Sequence, residues 1–196
     1  MKNPIHKLTN HTSYVYCLYI LNDGRLVSGS DDKSIIIYNK NTYQPDLIIK
    51  EHNSYISYII QLSSGELVTS SGDITIKIFI IKEVQYEVLQ TLNYHTQYIN
   101  KIIELKDKKL VSCSDDSSII FYSKDNNEFT KDYQISTNGP CYSTIQIKGN
   151  EICYSDYQNN TIHFYDTLER KIKASISEIS NYHSCRALFI MISKDF

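Results

Sequence analysis

The stretch LVSGSDDKSIIIY, Leu26 to Tyr38, returns as LVTSSGDITIKIF, Leu67 to Phe79, and again as LVSCSDDSSIIFY, Leu110 to Tyr122. Corresponding residues lie 41 and then 43 positions apart, and periods of roughly 20 to 50 residues mark a repeat architecture. Each copy has two short runs rich in Ile, Val and Tyr, split by a polar SDD or SGD cluster. Two β-prone runs joined by turn-forming residues read as a hairpin rather than a helix.

Outward from that hairpin the register holds. A His stands 15 residues before each opening Leu, at His11, His52 and His95, and begins the phrases HTSYV, HNSYI and HTQYI. The first complete repeat predicts four strands, at about 15–21, 25–30, 34–39 and 46–50, with turns at NDG, SDDK and NTYQP. Its third strand, IIIY, is apolar on both faces, as expected of a sheet sandwiched between neighbouring sheets. Repeats fall at about 11–51, 52–94, 95–137 and 138–182, with a partial one at 183–196. The fourth is degraded: Asn138 stands where the His is expected, and Asn159 or Asn160 where the turn Asp is expected.

This pattern resembles the WD-repeat (transducin beta-like) family, in which a His, a turn Asp and a terminal aromatic recur about every 40 residues. The resemblance implies an all-β fold, a β-propeller of four-stranded antiparallel blades, here about four blades with partial blades at both ends. It makes Asp32, Asp73 and Asp116 the turn aspartates. Ser28, Thr69 and Ser112 are then hydroxyl partners of the histidines, although Ser30, Ser71 and Ser114 fit nearly as well. The chain has no Trp; Tyr38, Phe79 and Tyr122 hold the terminal aromatic position. An indole donates through its ring nitrogen, Tyr only through a more distant hydroxyl, and Phe not at all. The relay is therefore expected to shorten to a His to Asp contact with one or other of the Ser residues.

Composition excludes several function classes. The 20 basic and 22 acidic residues are mixed along the chain, for a net charge of −2, which offers no general attraction to nucleic acid or anionic membrane. Met1 to Asn10 lacks an apolar run of signal-peptide length, and no window reaches the roughly 20 apolar residues of a membrane span. Cys17, Cys113, Cys141, Cys153 and Cys185 are odd in number and never in a CxxC arrangement. They read as core residues of a reduced, cytoplasmic protein.

Catalytic and metal chemistry find no positive case. Histidines in separate blades stand on the order of 10 Å apart, whereas zinc needs donors at about 2 Å. Asp31-Asp32 and Asp115-Asp116 could serve as paired carboxylates, but their fixed place in Ser-rich turns makes them turn-formers. Lys101, Lys106, Lys108 and Lys109, with Glu104 and Asp107 interleaved, read as a solvated loop. No Gly-rich phosphate loop or hydrolase motif occurs, so neither an enzyme activity, a metal nor a cofactor is expected.

What exceeds structural need is the Tyr three residues after each His: Tyr14, Tyr55 and Tyr98. The resemblance places these on the mouth of the His-loop face together with Tyr16, Asp31 and Asp115, where they are expected to bind proteins or peptides. The expected role is a non-catalytic scaffold. The alternative is a regulatory or targeting segment of a larger enzyme, such as a kinase or ubiquitin-ligase subunit. At the ends, Ile5 to Leu8 reads as an outer strand and Cys185 to Ile192 as an inner strand of one interrupted blade. An incomplete ring is therefore expected, either part of a longer protein or self-associating through open blade faces.

Overall fold

The computed structural model of the chain describes residues 7–177. Among these residues there are sixteen strands and no helix, in four sheets of four. The first sheet holds β1 (Val15–Ile20), β2 (Leu26–Ser30), β3 (Ile35–Tyr38) and β4 (Pro45–Ile49). The second holds β5 (Ile56–Gln61), β6 (Leu67–Ser71), β7 (Ile76–Lys82) and β8 (Gln85–Leu92). The third holds β9 (Ile99–Glu104), β10 (Leu110–Ser114), β11 (Ser118–Asp125) and β12 (Glu128–Ser136). The fourth holds β13 (Thr144–Gln146), β14 (Glu151–Asp156), β15 (Thr161–Asp166) and β16 (Lys171–Ile176). In every sheet the strand order follows the chain order, so each repeat is one meander, or blade.

Local chemistry recurs with the repeat. The turn between the first two strands needs a left-handed residue, supplied by Gly24 (φ 88°), Gly65 (φ 107°) and Gly149 (φ 54°), and by Lys108 (φ 71°) in the third blade. The following turn places Lys33, Ile74 and Ser117 at φ 67°, 65° and 61°, a strained setting for a β-branched residue such as Ile74. Register shifts fall at Ile37/Tyr38, Ile78/Phe79, Phe121/Tyr122 and Phe164/Tyr165. Each closing aromatic thus sits at a bulge where the third strand meets the fourth, and a bulge bends and twists its strand.

The chain forms two compact units, Met1–Ile102 and Ile103–Phe196. In the first, Val27, Ile35, Ile37 and Ile49 of the first blade meet Ile56, Ile59, Leu67 and Phe79 of the second, all essentially without solvent access. In the second, Val111, Ile119 and Phe121 meet Ile152, Tyr154 and Tyr165 in the same way. A side chain of this size contributes about 1.5 to 3 kcal/mol on full burial, so blade-on-blade packing is the main source of stability. One polar clip repeats: the turn N–H of Asn22 donates to Oε1 of Gln61 at 2.8 Å, and that of Lys106 to Oε1 of Gln146 at 2.9 Å.

Some expectations are corrected. Lys7 and Leu8 lie outside any strand; the rest of the strand expected at Ile5 to Leu8, and all of that at Cys185 to Ile192, lies outside the described residues. Lys101 belongs to β9 rather than to a loop, and its ammonium lies 5.5 Å from the centre of the Tyr58 ring.

Gly29 shows how closely the first two blades approach. A Cβ at this position would stand 2.6 Å from Cγ2 of Ile56 and 2.7 Å from Sγ of Cys17. Gly29→Ala is expected to destabilise the protein by about 1 to 3 kcal/mol through overpacking, measured by urea unfolding; an unchanged midpoint would contradict the tight contact.

Candidate functional site

The site grows from the turn between the second and third strands. In the first blade Asp32 Oδ2 faces Nδ1 of His11 at 2.9 Å and accepts the Thr12 N–H at 2.8 Å, while Oδ1 accepts the N–H of Ser34 at 3.0 Å and its hydroxyl at 2.5 Å. The second blade repeats the arrangement. Asp73 Oδ2 meets Nδ1 of His52 at 2.8 Å and the Asn53 N–H at 2.8 Å, and Oδ1 takes the Thr75 N–H at 3.1 Å and hydroxyl at 2.7 Å. The other ring nitrogen reaches a hydroxyl, Ser28 at 2.6 Å from His11 and Thr69 at 2.8 Å from His52.

Burial works to raise the Asp32 and Asp73 carboxyls. Hydrogen bonds from Ser34, Thr12 and His11 in one blade, and from His52, Thr75 and Asn53 in the other, outweigh it and hold both well below the usual carboxylate range. The second serine of each cluster has a separate task. Ser30, Ser71 and Ser114 accept the backbone N–H of Asp32, Asp73 and Asp116 at 3.1, 3.0 and 3.1 Å. The hydroxyl left open between two serines in the sequence is thus assigned by geometry, one to the imidazole and one to the turn.

In the third blade the closing aromatic makes a polar contact of its own. The Tyr122 hydroxyl and Oγ of Ser112 are 3.0 Å apart, both fully buried, so the distant phenol reaches the hydroxyl that an indole would otherwise serve. Asp116 accepts the Ser118 hydroxyl at 2.6 Å, and His95 is buried. Phe79 is fully buried and contributes packing alone, while Tyr38 is buried on the side of its blade where Leu26 and Ser28 also lie.

The fourth blade is built differently from the expectation. Pairing of Thr144 with Tyr154 matches that of Ile59 with Thr69, which puts Thr137, not Asn138, at the His position. Asn138 takes the next position, and its N–H donates to Oδ2 of Asp156 at 3.2 Å. Asp156, the last residue of β14, therefore does what was expected of Asn159 or Asn160. Four residues, 157–160, separate it from its partner Thr161, where the second blade has three between Ser71 and Thr75. His163 Nε2 approaches Asp156 Oδ2 at 3.5 Å. Asp156 Oδ1 and Thr144 Oγ1 are buried without partners, an arrangement that costs stability.

Beside these turns lies a row of tyrosines. Tyr16 and Tyr55 meet edge to face with ring centres 5.4 Å apart, and Tyr55 and Tyr98 likewise at 5.8 Å. The Tyr55 ring covers Gly72, where a Cβ would come within 2.3 Å of Cε1. Gly72 stands where the first and third repeats carry Asp31 and Asp115, so the missing side chain makes room for the ring. Tyr14 is not in this row: it projects 78 % exposed, and its carbonyl accepts the Asp31 N–H at 2.8 Å. Tyr14 and Tyr55 hold equivalent positions, since the Gly72 N–H donates to the Tyr55 carbonyl in the same way at 3.0 Å, but the ring that meets Tyr55 is that of Tyr16. Tyr16 and Tyr98 remain 55 % and 48 % exposed. Asp31 is half-buried, with Oδ2 accepting the Ser13 hydroxyl at 2.8 Å, and Asp115 is half-buried in the third-blade turn. Among the described residues no group of three or more His, Cys, Asp or Glu is placed to hold a metal ion, and no helix is long and apolar enough to cross a membrane.

Four-stranded meanders, the first two fastened by an imidazole and a turn carboxylate, define the chain as a set of propeller-type blades. Residues 2–39 match the family model described as WD domain, G-beta repeat, and the following sheets share the strand order of the first. No curated protein gives a significant match to the chain. A WD repeat implies a protein-interaction scaffold in general, and such repeats are typically non-catalytic.

Asp73→Asn keeps the volume of the turn but removes the charge that the surrounding donors stabilise; the expected cost at neutral pH is about 1 to 3 kcal/mol. Because the native carboxyl titrates below its unfolded value of about 3.9, its contribution is present above about pH 4 and is lost as pH falls further. Urea melts at several pH values should show wild type losing stability on acidification and the variant losing less; parallel curves would contradict the assignment.

Proposed function

We propose that the chain is a non-catalytic platform that binds a segment of another protein across Tyr16, Tyr55 and Tyr98, with Tyr14 and Asp31 at the margin. The observation that carries this reading is the continuous contact of the three rings across three successive repeats, with the two outer rings half open to solvent. Tyrosine suits such a contact because it combines a large apolar body, a hydroxyl and little rotamer entropy to lose. Tyr55 is the fixed member, held against Gly72, and so presents its neighbours in a set geometry before any partner arrives. Asp31 adds a carboxylate beside the aromatic surface, which favours a partner segment containing Lys or Arg.

The same reading extends to compartment. Among the described residues Cys17, Cys113, Cys141 and Cys153 are buried and in no disulfide. Burial pushes the Cys17 thiol up to about 12, which favours the unreactive protonated form. Core thiols outside any disulfide support residence in the cytoplasm.

Replacing the exposed Tyr14, Tyr16 and Tyr98 together by Ala should weaken capture of partner proteins about tenfold or more while leaving the melting curve in place. Affinity purification from cell extract with quantitative proteomics reads the first, and circular dichroism the second. Undiminished recovery of every partner by a correctly folded variant would overturn the reading.

A further inference from the structure

Away from the tyrosine row, one face of the first blade is open. Leu18 is 64 % and Ile20 is 70 % exposed, and Leu18 lines a groove of about 520 Å³ with Leu8, Val15, Leu26, Ser28 and Tyr38 among its walls. The repeat shows what such a groove accepts. Val15, Leu18, Leu26, Ser28 and Tyr38 hold the positions of Ile56, Ile59, Leu67, Thr69 and Phe79, as the matching strand registers show. In the second blade those positions receive Val27, Ile35, Ile37 and Ile49 of the blade before it. The occupant of the open groove is therefore specified in kind: a blade presenting the residues that correspond to Val27, Ile35, Ile37 and Ile49.

The fourth blade presents such a face. The same registers put Cys153, Ile162, Phe164 and Ile176 at those positions. Whereas Ile35, Ile37 and Ile49 have no solvent access, Ile176 is 51 % exposed, and Ile162 and Phe164 are only half-buried. One face of the first blade and one face of the fourth are thus open, and they correspond to the two sides of a contact already made inside the first unit. At position 20, moreover, the acceptor used by Gln61 and Gln146 to clip the preceding turn is replaced by Ile20. This version of the contact is more apolar than its internal counterparts.

We propose that the open face of the first blade docks the Ile162–Phe164–Ile176 face of the fourth blade of a second copy of this chain. The contact is head-to-tail and uses different surfaces on the two copies, so assembly either closes on itself or continues as an open series.

Light scattering on size-exclusion fractions over a range of loading concentrations tests this, using Leu18→Asp and Ile176→Asp. Both positions are exposed enough to leave each monomer folded, checked by thermal melts. Wild type should self-associate, either variant alone should do so at least tenfold more weakly, and an equimolar mixture of the two should form dimers through the one intact pair of faces. A wild-type monomer at every concentration would overturn the proposal. So would undiminished association of either variant, or the failure of two folded, monomeric variants to pair on mixing.

Discussion

Each of the first two blades depends on a carboxylate that the chain must dehydrate and then satisfy. Asp73 lies at the tip of a hairpin, yet both of its oxygens are occupied, Oδ2 by the His52 ring and the Asn53 N–H and Oδ1 by the N–H and hydroxyl of Thr75. Asp32 is held in the same way. The donors come from two separate parts of the repeat: His and the residue after it precede the first strand, and the hydroxyl residue immediately precedes the third. One side chain therefore fixes the approach of the chain to the blade and the reversal inside it. With that end fixed, the two apolar faces of the sheet are displayed to the neighbours in a set register, and the packing between blades follows.

The fourth blade shows what happens when this constraint is relaxed. Thr137 replaces the imidazole, the turn grows by a residue, and Asp156 takes over from within the strand, with one oxygen unpartnered. His163 lies alongside at 3.5 Å, from a different strand. The blade keeps its strand order, since packing of Ile152, Tyr154 and Tyr165 against the third blade persists. Hydrophobic pattern alone thus suffices for the meander, while the polar network decides how well its end is fastened.

This division explains what could be read from the sequence. Strands and turns in the first three repeats were legible because period-two apolar runs and the SDD, SGD and NDG clusters recur in register. So were the pairings of His11 with Asp32 and His52 with Asp73, which lie at constant spacing. The role of Asp156 was not legible, because one extra turn residue shifts everything after it and an Asn stands at the expected place. Tyr16 was placed on this face by the sequence, but its contact with Tyr55 was not legible, because it joins neighbouring repeats and spacing within one repeat does not report it. The meaning of Gly72 needed the Tyr55 ring to be seen above it. The serine pairs could not be separated by spacing, since Ser28 and Ser30 are two residues apart on the same strand.

The exposed ends of the donor network give the most direct test. Thr12 and Asn53 lie in solvent-exposed stretches before the first strand of their blades, and outside any ladder their amides would exchange rapidly with water. If the turn carboxylates organise the blades, the backbone amides of both residues should be protected against hydrogen exchange to an extent comparable with strand amides such as those of Val27 and Val68, measured by NMR under native conditions. Exchange of Thr12 and Asn53 at the rate of unstructured loops would contradict the account.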